Sequence, residues 1–208
     1  SSTTNDYMLD QGVTDVDEAT LRAVYLPPYA AAIGAGAHNV MISYSSWGGI
    51  KMHGQRYLIQ DVLIDELGFE GFIVSDWAGV DQVAPDYYQA VVASINAGVD
   101  MNMVLYNTGL FIDTLIEAVE AGDVSLERID EAVRNILTVK FEMGLFEHPY
   151  SDPDLLPLVG SEEHRAVARR AVAQSQVLLK NTDDLLPLAP DLPVVYVGGE
   201  AADDIGIQ

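Results

Sequence analysis

Gly71-Phe72-Ile73-Val74-Ser75-Asp76-Trp77 is the stretch on which the fold turns. It is an apolar run of strand length, opened by a glycine and closed by a carboxylate. Two other runs share its character: Asn39-Val40-Met41-Ile42-Ser43-Tyr44 and Asp100-Met101-Asn102-Met103-Val104-Leu105. Each is nearly continuous in apolar residues rather than alternating, which suits parallel strands covered on both faces. Their starts lie 32 and 29 residues apart. Amphipathic helical patterns fill the gaps. One runs from about Asp17 to Ala35, with Pro27-Pro28 disturbing its middle. Others cover Tyr57 to Leu67, Tyr87 to Asn96 and Leu110 to Ala121, stopped by Gly68, Gly98 and Gly122. Strand then helix at this spacing is the βα rhythm of a parallel sheet with helices outside. A doubly wound sheet and a (β/α)₈ barrel both satisfy it. A barrel takes roughly 250 residues; read as a barrel, these three strands are its second half.

Beyond Gly122 the pattern changes. Ser125 can cap a helix whose apolar positions Ile129, Val133, Ile136, Leu137 and Phe141 recur at helical spacing, up to Gly144. The stretch from His148 to Gly160 holds Pro149, Pro153 and Pro157 and reads as an irregular linker. A helix is expected from Ser161 to about Gln176, a turn over residues 183–188, and a strand from Leu192 to Gly199. The division expected is therefore a βα-patterned stretch over 1–147, a linker over 148–160, and the start of a further α/β domain over 161–208.

The 208 residues are 49% hydrophobic and 20% charged, an ordinary globular mixture. There is no cysteine, which removes disulfides, thiolate metal sites and a Cys nucleophile from this segment. Ten Lys and Arg face 32 Asp and Glu, a net charge of −22. Such a chain repels nucleic acid and anionic membranes, so neither is expected as a partner. The acids are spread along the chain, as on a solvated surface; adaptation to high salt is the sharper alternative. Ser1-Ser2-Thr3-Thr4-Asn5-Asp6 is polar and is not read as a signal peptide. No stretch has the ~18 uninterrupted apolar residues of a membrane span. His38, His53, His148 and His164 are scattered without metal-ligand spacing, so no metal is expected.

Chemistry concentrates at Asp76. Residues at the C-terminal ends of barrel strands line the active site. A carboxylate there sits among apolar walls, where charge is costly without partners or a task. An Asp capping the next helix is an equal alternative on the bare pattern. Trp77 alone reads as core packing or as a platform for a ligand.

Five segments narrow the choice: GFEGFIVSDWAGVDQV (68–83), MISYSSWGGIKMHG (41–54), INAGVDMNMV (95–104), DEAVRNILTVKFEMGLFEHPYSDP (130–153) and QSQVLLKNTDDLLPL (174–188). Together and in this order they closely resemble glycoside hydrolase family 3, nearest its β-glucosidase and β-glucan exohydrolase branch. The resemblance implies a retaining, exo-acting glycosidase on a two-domain enzyme, the second half of a (β/α)₈ barrel over 1–147 followed by an α/β sandwich domain that begins at 161, with Asp76 as nucleophile forming a covalent glycosyl-enzyme. It makes Trp77 part of an aromatic clamp on the sugar and Tyr44 the phenol beside the nucleophile. It places Met103 near the next sugar subsite, with plain core filling as the rival reading. The implied partner is a β-glucoside or β-glucan oligosaccharide, the implied setting is secreted or periplasmic, and no cofactor is implied, since glycosyl transfer through two carboxylates needs none. His53 could face the cleft, with a structural role the better expectation. Asp100 is expected to anchor its strand and Asp81 to lie on an outer loop.

Retention needs two carboxyl groups about 5–5.5 Å apart, and only one is found. Glu117, Glu120, Glu127 and Glu131 fall on exposed helical patterns. The resemblance places the acid/base beyond Gln208 and a sugar-holding stretch before Ser1. The isolated chain is therefore expected to turn over nothing and to fold poorly, the remainder coming from its own polypeptide or a complementing chain. Within the family, an N-acetylglucosaminidase is disfavoured by Trp77, while a xylosidase stays open. The alternative of another class is a non-catalytic truncated paralogue serving as an interaction or sugar-binding module.

Overall fold

The computed structural model describes residues 11–104, 106–204 and 206. The N-terminal hexapeptide and Leu105, the last residue of the third expected strand, lie outside the described residues. The chain divides into two compact units, one ending at Pro149 and one beginning at Tyr150.

The first unit is built on three neighbouring chain segments. Strand β2 (Asn39–Met41) pairs in parallel with β5 (Phe72–Val74), in the register Asn39 to Phe72, Val40 to Ile73 and Met41 to Val74. The ladder runs on through Ile42 N–H to the Val74 carbonyl at 3.0 Å. On the other side of β5, Met101 makes a parallel bridge to Val74. The Asp100 and Met101 N–H groups both donate to the Ile73 carbonyl, and Ser75 N–H donates to Met101. The three expected runs are thus adjacent and parallel, although the third contributes only this bridge rather than a full strand. A second small sheet joins β1 (Val13–Thr14), β3 (Ser46–Trp47) and β4 (Ile50–Lys51) in the order β1-β3-β4. Its β3–β4 hairpin turns at Gly48 and Gly49, with φ of +58° and +81°, a conformation that glycine adopts without a Cβ penalty.

The helices begin and end where the residues dictate. α3 (Tyr87–Ala97), α4 (Thr108–Ala121) and α5 (Leu126–Glu142) open on Asp86, Asn107 and Ser125. Each of these side chains accepts a main-chain N–H three residues on, satisfying a donor the helix leaves orphaned. α1 (Glu18–Thr20), a π-helical stretch Leu21–Tyr25 and α2 (Leu26–Gly34) run consecutively. Pro27 and Pro28 do not break this pattern. They follow directly on the widened π-helical turn, which accommodates their rings and missing N–H groups within the continuous helix. The π-helix Tyr57–Glu66 turns Ile59, Val62 and Leu63 inward.

Two apolar cores follow. Ile42, Ile59, Leu63, Phe69, Ile73 and Ala97 form one beneath β2 and β5. Val80, Val91, Ile95, Ala118 and Val124 form the other around α3 and α4.

In the second unit, α6 (Glu162–Ser175) is capped by Ser161. Pro153–Leu158 forms a 3₁₀ turn within the stretch expected to be irregular. The strand expected from Leu192 to Gly199 is not formed; no residue there belongs to a strand, and Val194, Val195, Tyr196 and Val197 are exposed. A strand is stabilised by a neighbour that accepts its N–H groups, and among the described residues of this unit none is present.

Candidate active site

The C-terminal end of β5 carries the site. Ser75 is fully buried, and its hydroxyl lies 2.9 Å from the Asp76 carbonyl and 3.0 Å from Asn102 Oδ1. The same hydroxyl accepts Met103 N–H at 2.7 Å. Ser75 thereby fastens the end of β5 to the neighbouring segment before the chain turns.

Residues 76–79 form a tight turn whose four N–H groups are all accounted for. Asp76 N–H donates to Nε2 of His53 at 2.9 Å. Trp77 N–H donates to Oδ1 of Asp76 at 2.6 Å. Ala78 N–H donates to the Met103 carbonyl at 3.1 Å, and Gly79 N–H to the Asp76 carbonyl at 3.0 Å. Ala78 has φ +53°, sparsely populated for a residue with a Cβ, and persists because its surroundings over-determine it. Asp76 is half-buried at the head of this turn. It caps no helix: the next α-helix starts eleven residues on, at Tyr87, and has Asp86 for its cap.

Tyr44 lies at the end of the segment that follows β2. Its hydroxyl donates to the Trp77 carbonyl, so phenol and turn are joined directly. Trp77 itself is 52% exposed, which sets its ring outside both cores. Met103 is half-buried and holds the turn through its main chain. The four residues singled out in the sequence therefore gather at one strand end.

Three further neighbours join them, of which the sequence reading raised only His53. His53 is 1% exposed and sits under the turn. Burial pushes its pKa down from 6.5 to about 4; the Asp76 carboxylate pulls the other way, and Lys51 adds to the lowering. It is therefore neutral near pH 7, and a proton acceptor at Nε2 implies the tautomer with hydrogen on Nδ1. Gly79 packs on that imidazole: a Cβ there would stand 2.3 Å from His53 Cε1 and Nε2. The sequence signal was a small residue two places past an aromatic, too common to single out. Lys51 donates from Nζ to the Tyr44 carbonyl at 3.0 Å and to Gln82 Oε1 at 3.1 Å.

Asp100 and Asp81 hold no place in the turn. Asp100 Oδ2 accepts Ile73 N–H at 2.9 Å, and Oδ1 accepts from Arg128 at 2.7 Å. Asp81 is exposed on a 3₁₀ turn. Glu117, Glu120 and Glu127 are exposed, and Glu131 is paired with Arg128. An apolar groove of about 200 Å³, lined by Leu21, Tyr25, Met41, Trp47 and Ile59 among others, does not include Asp76. Among the described residues no group of three or more His, Asp or Glu is gathered to hold a metal ion.

The chain is similar to proteins of one family throughout. Residues 1–139 match the glycosyl hydrolase family 3 N terminal domain. A beta-xylosidase of Formosa agariphila is 35% identical over 196 residues, covering 86% of this chain and 27% of the relative. A periplasmic beta-glucosidase of Salmonella typhimurium is 35% identical over 201 residues, covering 91% of this chain and 25% of the relative. The crystal structure of an exo-1,3/1,4-beta-glucanase from a Pseudoalteromonas species superposes with a TM-score of 0.74 at 39% identity. That match covers 86% of this chain and 23% of the glucanase. This chain spans about a quarter of the length of the curated relatives it matches.

Proposed function

Since the chain belongs to glycosyl hydrolase family 3, whose N-terminal domain is a TIM-type barrel, we propose that it carries the nucleophile of a retaining, exo-acting β-glucosidase or β-glucan glucohydrolase. The observation that carries this reading is the placement of Asp76. Its carboxylate stands half-buried at the C-terminal end of a parallel strand, on a turn whose every N–H is bonded. Strand ends of this kind are where barrel enzymes assemble their chemistry. The three parallel segments belong, in this reading, to the second half of the barrel, over residues 1–147. Residues 148–160 are the linker and 161–208 the opening of a further α/β domain.

The reaction runs in two displacements. An Asp76 carboxylate oxygen attacks the anomeric carbon of a terminal β-glucosyl residue. The glycosidic C–O bond breaks, and the leaving oxygen takes a proton from a second carboxylic acid. Water, deprotonated by that same group, then attacks the anomeric carbon, releases the sugar with retention and frees Asp76. Among the described residues of the first unit no Glu near the turn has the placement for the second role, and that role is assigned to a carboxyl outside these 208 residues. A nucleophile must be aimed; the Trp77 N–H on Oδ1 fixes the orientation of the carboxylate. Trp77 offers a half-exposed aromatic face to the sugar, and the Tyr44 hydroxyl steadies the main chain that carries it. Met103 lies beside this turn and is assigned to the neighbouring subsite. The relative with a periplasmic name favours a setting outside the cytoplasm. The β-xylosidase relative favours a second reading, in which the same machinery takes a terminal xylosyl residue.

The test is covalent trapping in the polypeptide that carries this segment. A 2-deoxy-2-fluoro-β-glucoside is expected to label Asp76, located by peptide mass mapping. Asp76→Asn is expected to abolish labelling and to lower kcat by at least about 10³-fold. Preferential labelling by the 2-fluoro-β-xyloside selects the second reading. A label on another residue, or none from either reagent, rejects Asp76 as nucleophile.

A further inference from the structure

We propose that His53 is a positioning residue for Asp76, holding the nucleophile's main-chain N–H on its neutral Nε2 and so fixing the turn from which the carboxylate projects. This inference rests on Asp76 acting as the nucleophile.

Four observations converge on it. The imidazole is 1% exposed, so its ring plane is set by packing rather than by solvent. The N–H···Nε2 contact of 2.9 Å goes to Asp76 itself. The three N–H groups that follow bond to the Asp76 carboxylate, the Met103 carbonyl and the Asp76 carbonyl, so His53 is the side chain from outside the turn that enters this set. Gly79, at the far end of the turn, lies so close that a Cβ would overlap the ring. The ring therefore bears on both ends of the four-residue turn at once. Tyr44, whose hydroxyl holds the Trp77 carbonyl, has its ring 6.3 Å from the imidazole at an interplanar angle of 42°.

The charges around the imidazole fit this task. Asp76 favours its protonation, while Lys51 and burial oppose it, and burial is the largest effect. The neutral form prevails, and Nε2 keeps the lone pair it needs to accept. A proton on Nε2 would set a donor against a donor and release the turn. Displacement of a reacting group by about 1 Å can cost on the order of 10² in rate, so a bond that fixes the nucleophile's own main chain has kinetic weight.

The experiment compares His53→Phe and His53→Gln in the full polypeptide. Phe keeps a ring of similar size without an acceptor; Gln keeps an acceptor of comparable reach. His53→Phe is expected to slow fluoroglucoside trapping and kcat by about 10²-fold while changing the Kd of glucose less than about 3-fold. His53→Gln is expected to recover at least about 10-fold of the loss. Trapping within about 3-fold of wild type in His53→Phe overturns the proposal. So does a parallel loss of rate and glucose affinity that Gln does not restore, the pattern of general loosening. Nitrogen-15 NMR of the wild-type protein tests it without any variant, the His53 signals being assigned by their absence from His53→Gln. A Nδ1–H tautomer is expected from about pH 5 to pH 8, and an Nε2–H tautomer or an imidazolium at pH 6 overturns the proposal. Wild-type protein that takes no label at Asp76 overturns the nucleophile assignment, and this inference with it. A labelled wild type with an unslowed His53→Phe overturns this inference alone.

Discussion

At the scale of single residues, the candidate site depends on what stands behind Asp76. Gly79→Ala would set a methyl 2.3 Å from two atoms of a buried ring. Neither the ring nor the turn can move without giving up the Asp76 N–H bond. Overpacking of this kind costs about 1–3 kcal/mol, so the variant is expected to melt lower and to trap fluoroglucoside more slowly. An unchanged trapping rate would show the turn to be looser than its hydrogen bonds imply. His53 also sets a pH dependence. Its folded pKa of about 4 lies below its ordinary value of 6.5, so the unfolded chain binds a proton that the folded chain refuses. The neutral-histidine contribution is complete above about pH 6.5 and is lost as pH falls toward 4, by at most about 3 kcal/mol. Denaturant midpoints between pH 7 and pH 4 check this: the fall should be smaller in His53→Gln. Asp76 and Trp77 were legible because strand, carboxylate and aromatic occur consecutively. His53, 23 positions away, reads from sequence as structural. Its bond to the site depends on how the loop after β4 folds under β5, and no local pattern encodes that.

At the scale of elements, α5 is tied to the strand region by a buried ion pair. Arg128 donates to Asp100 Oδ1 at 2.7 Å and to the Ile95 carbonyl at 3.0 Å, with the two side chains 10% and 2% exposed. The other Asp100 oxygen holds Ile73 N–H, inside the strand that ends at Asp76. Arg128→Met leaves that carboxylate buried without its partner, which costs about 3–5 kcal/mol. The expected result is a matching fall in unfolding free energy, larger than for Arg22→Met. Arg22, whose pairs with Glu18 and Glu66 are partly solvent-exposed, belongs to the class of surface pairs that add little to stability. Equal losses in the two variants would place the latch elsewhere. Element ends were legible where a capping side chain and a following glycine bracketed an apolar pattern, as at Ser125 and Gly144. The strand expected over residues 192–199 was not, because β-structure needs a neighbouring ladder that local sequence cannot supply.

At the scale of the whole molecule, 32 acidic residues against 10 basic ones set up self-repulsion. Salt screens it. Salt also weakens the exposed pairs of Arg22 and Arg56, but these are few and individually small. Net repulsion therefore dominates, and stability is expected to rise between about 0.05 M and about 1 M NaCl. A gain of about 1 kcal/mol would appear as roughly 2–4 °C in Tm. A flat or falling Tm would mean that the acids are already well separated in space.

Sequence by itself determined the parallel βα character of the first unit, the helix limits and the strand end bearing Asp76. Each is a local matter of periodicity, capping or a contiguous motif. It also determined the family, because several distinctive segments stand in one order. Only tertiary structure decided which neighbours serve Asp76. The His53 ring and the Tyr44 hydroxyl come from residues 41–54, the Met103 carbonyl from the segment beside β5, and the space left by Gly79 from the turn itself. Tertiary structure likewise decided that Asp100 anchors through Arg128, 28 residues away. Such contacts are fixed by how buried polar groups find partners across a packed interior, and sequence spacing carries no record of that distance.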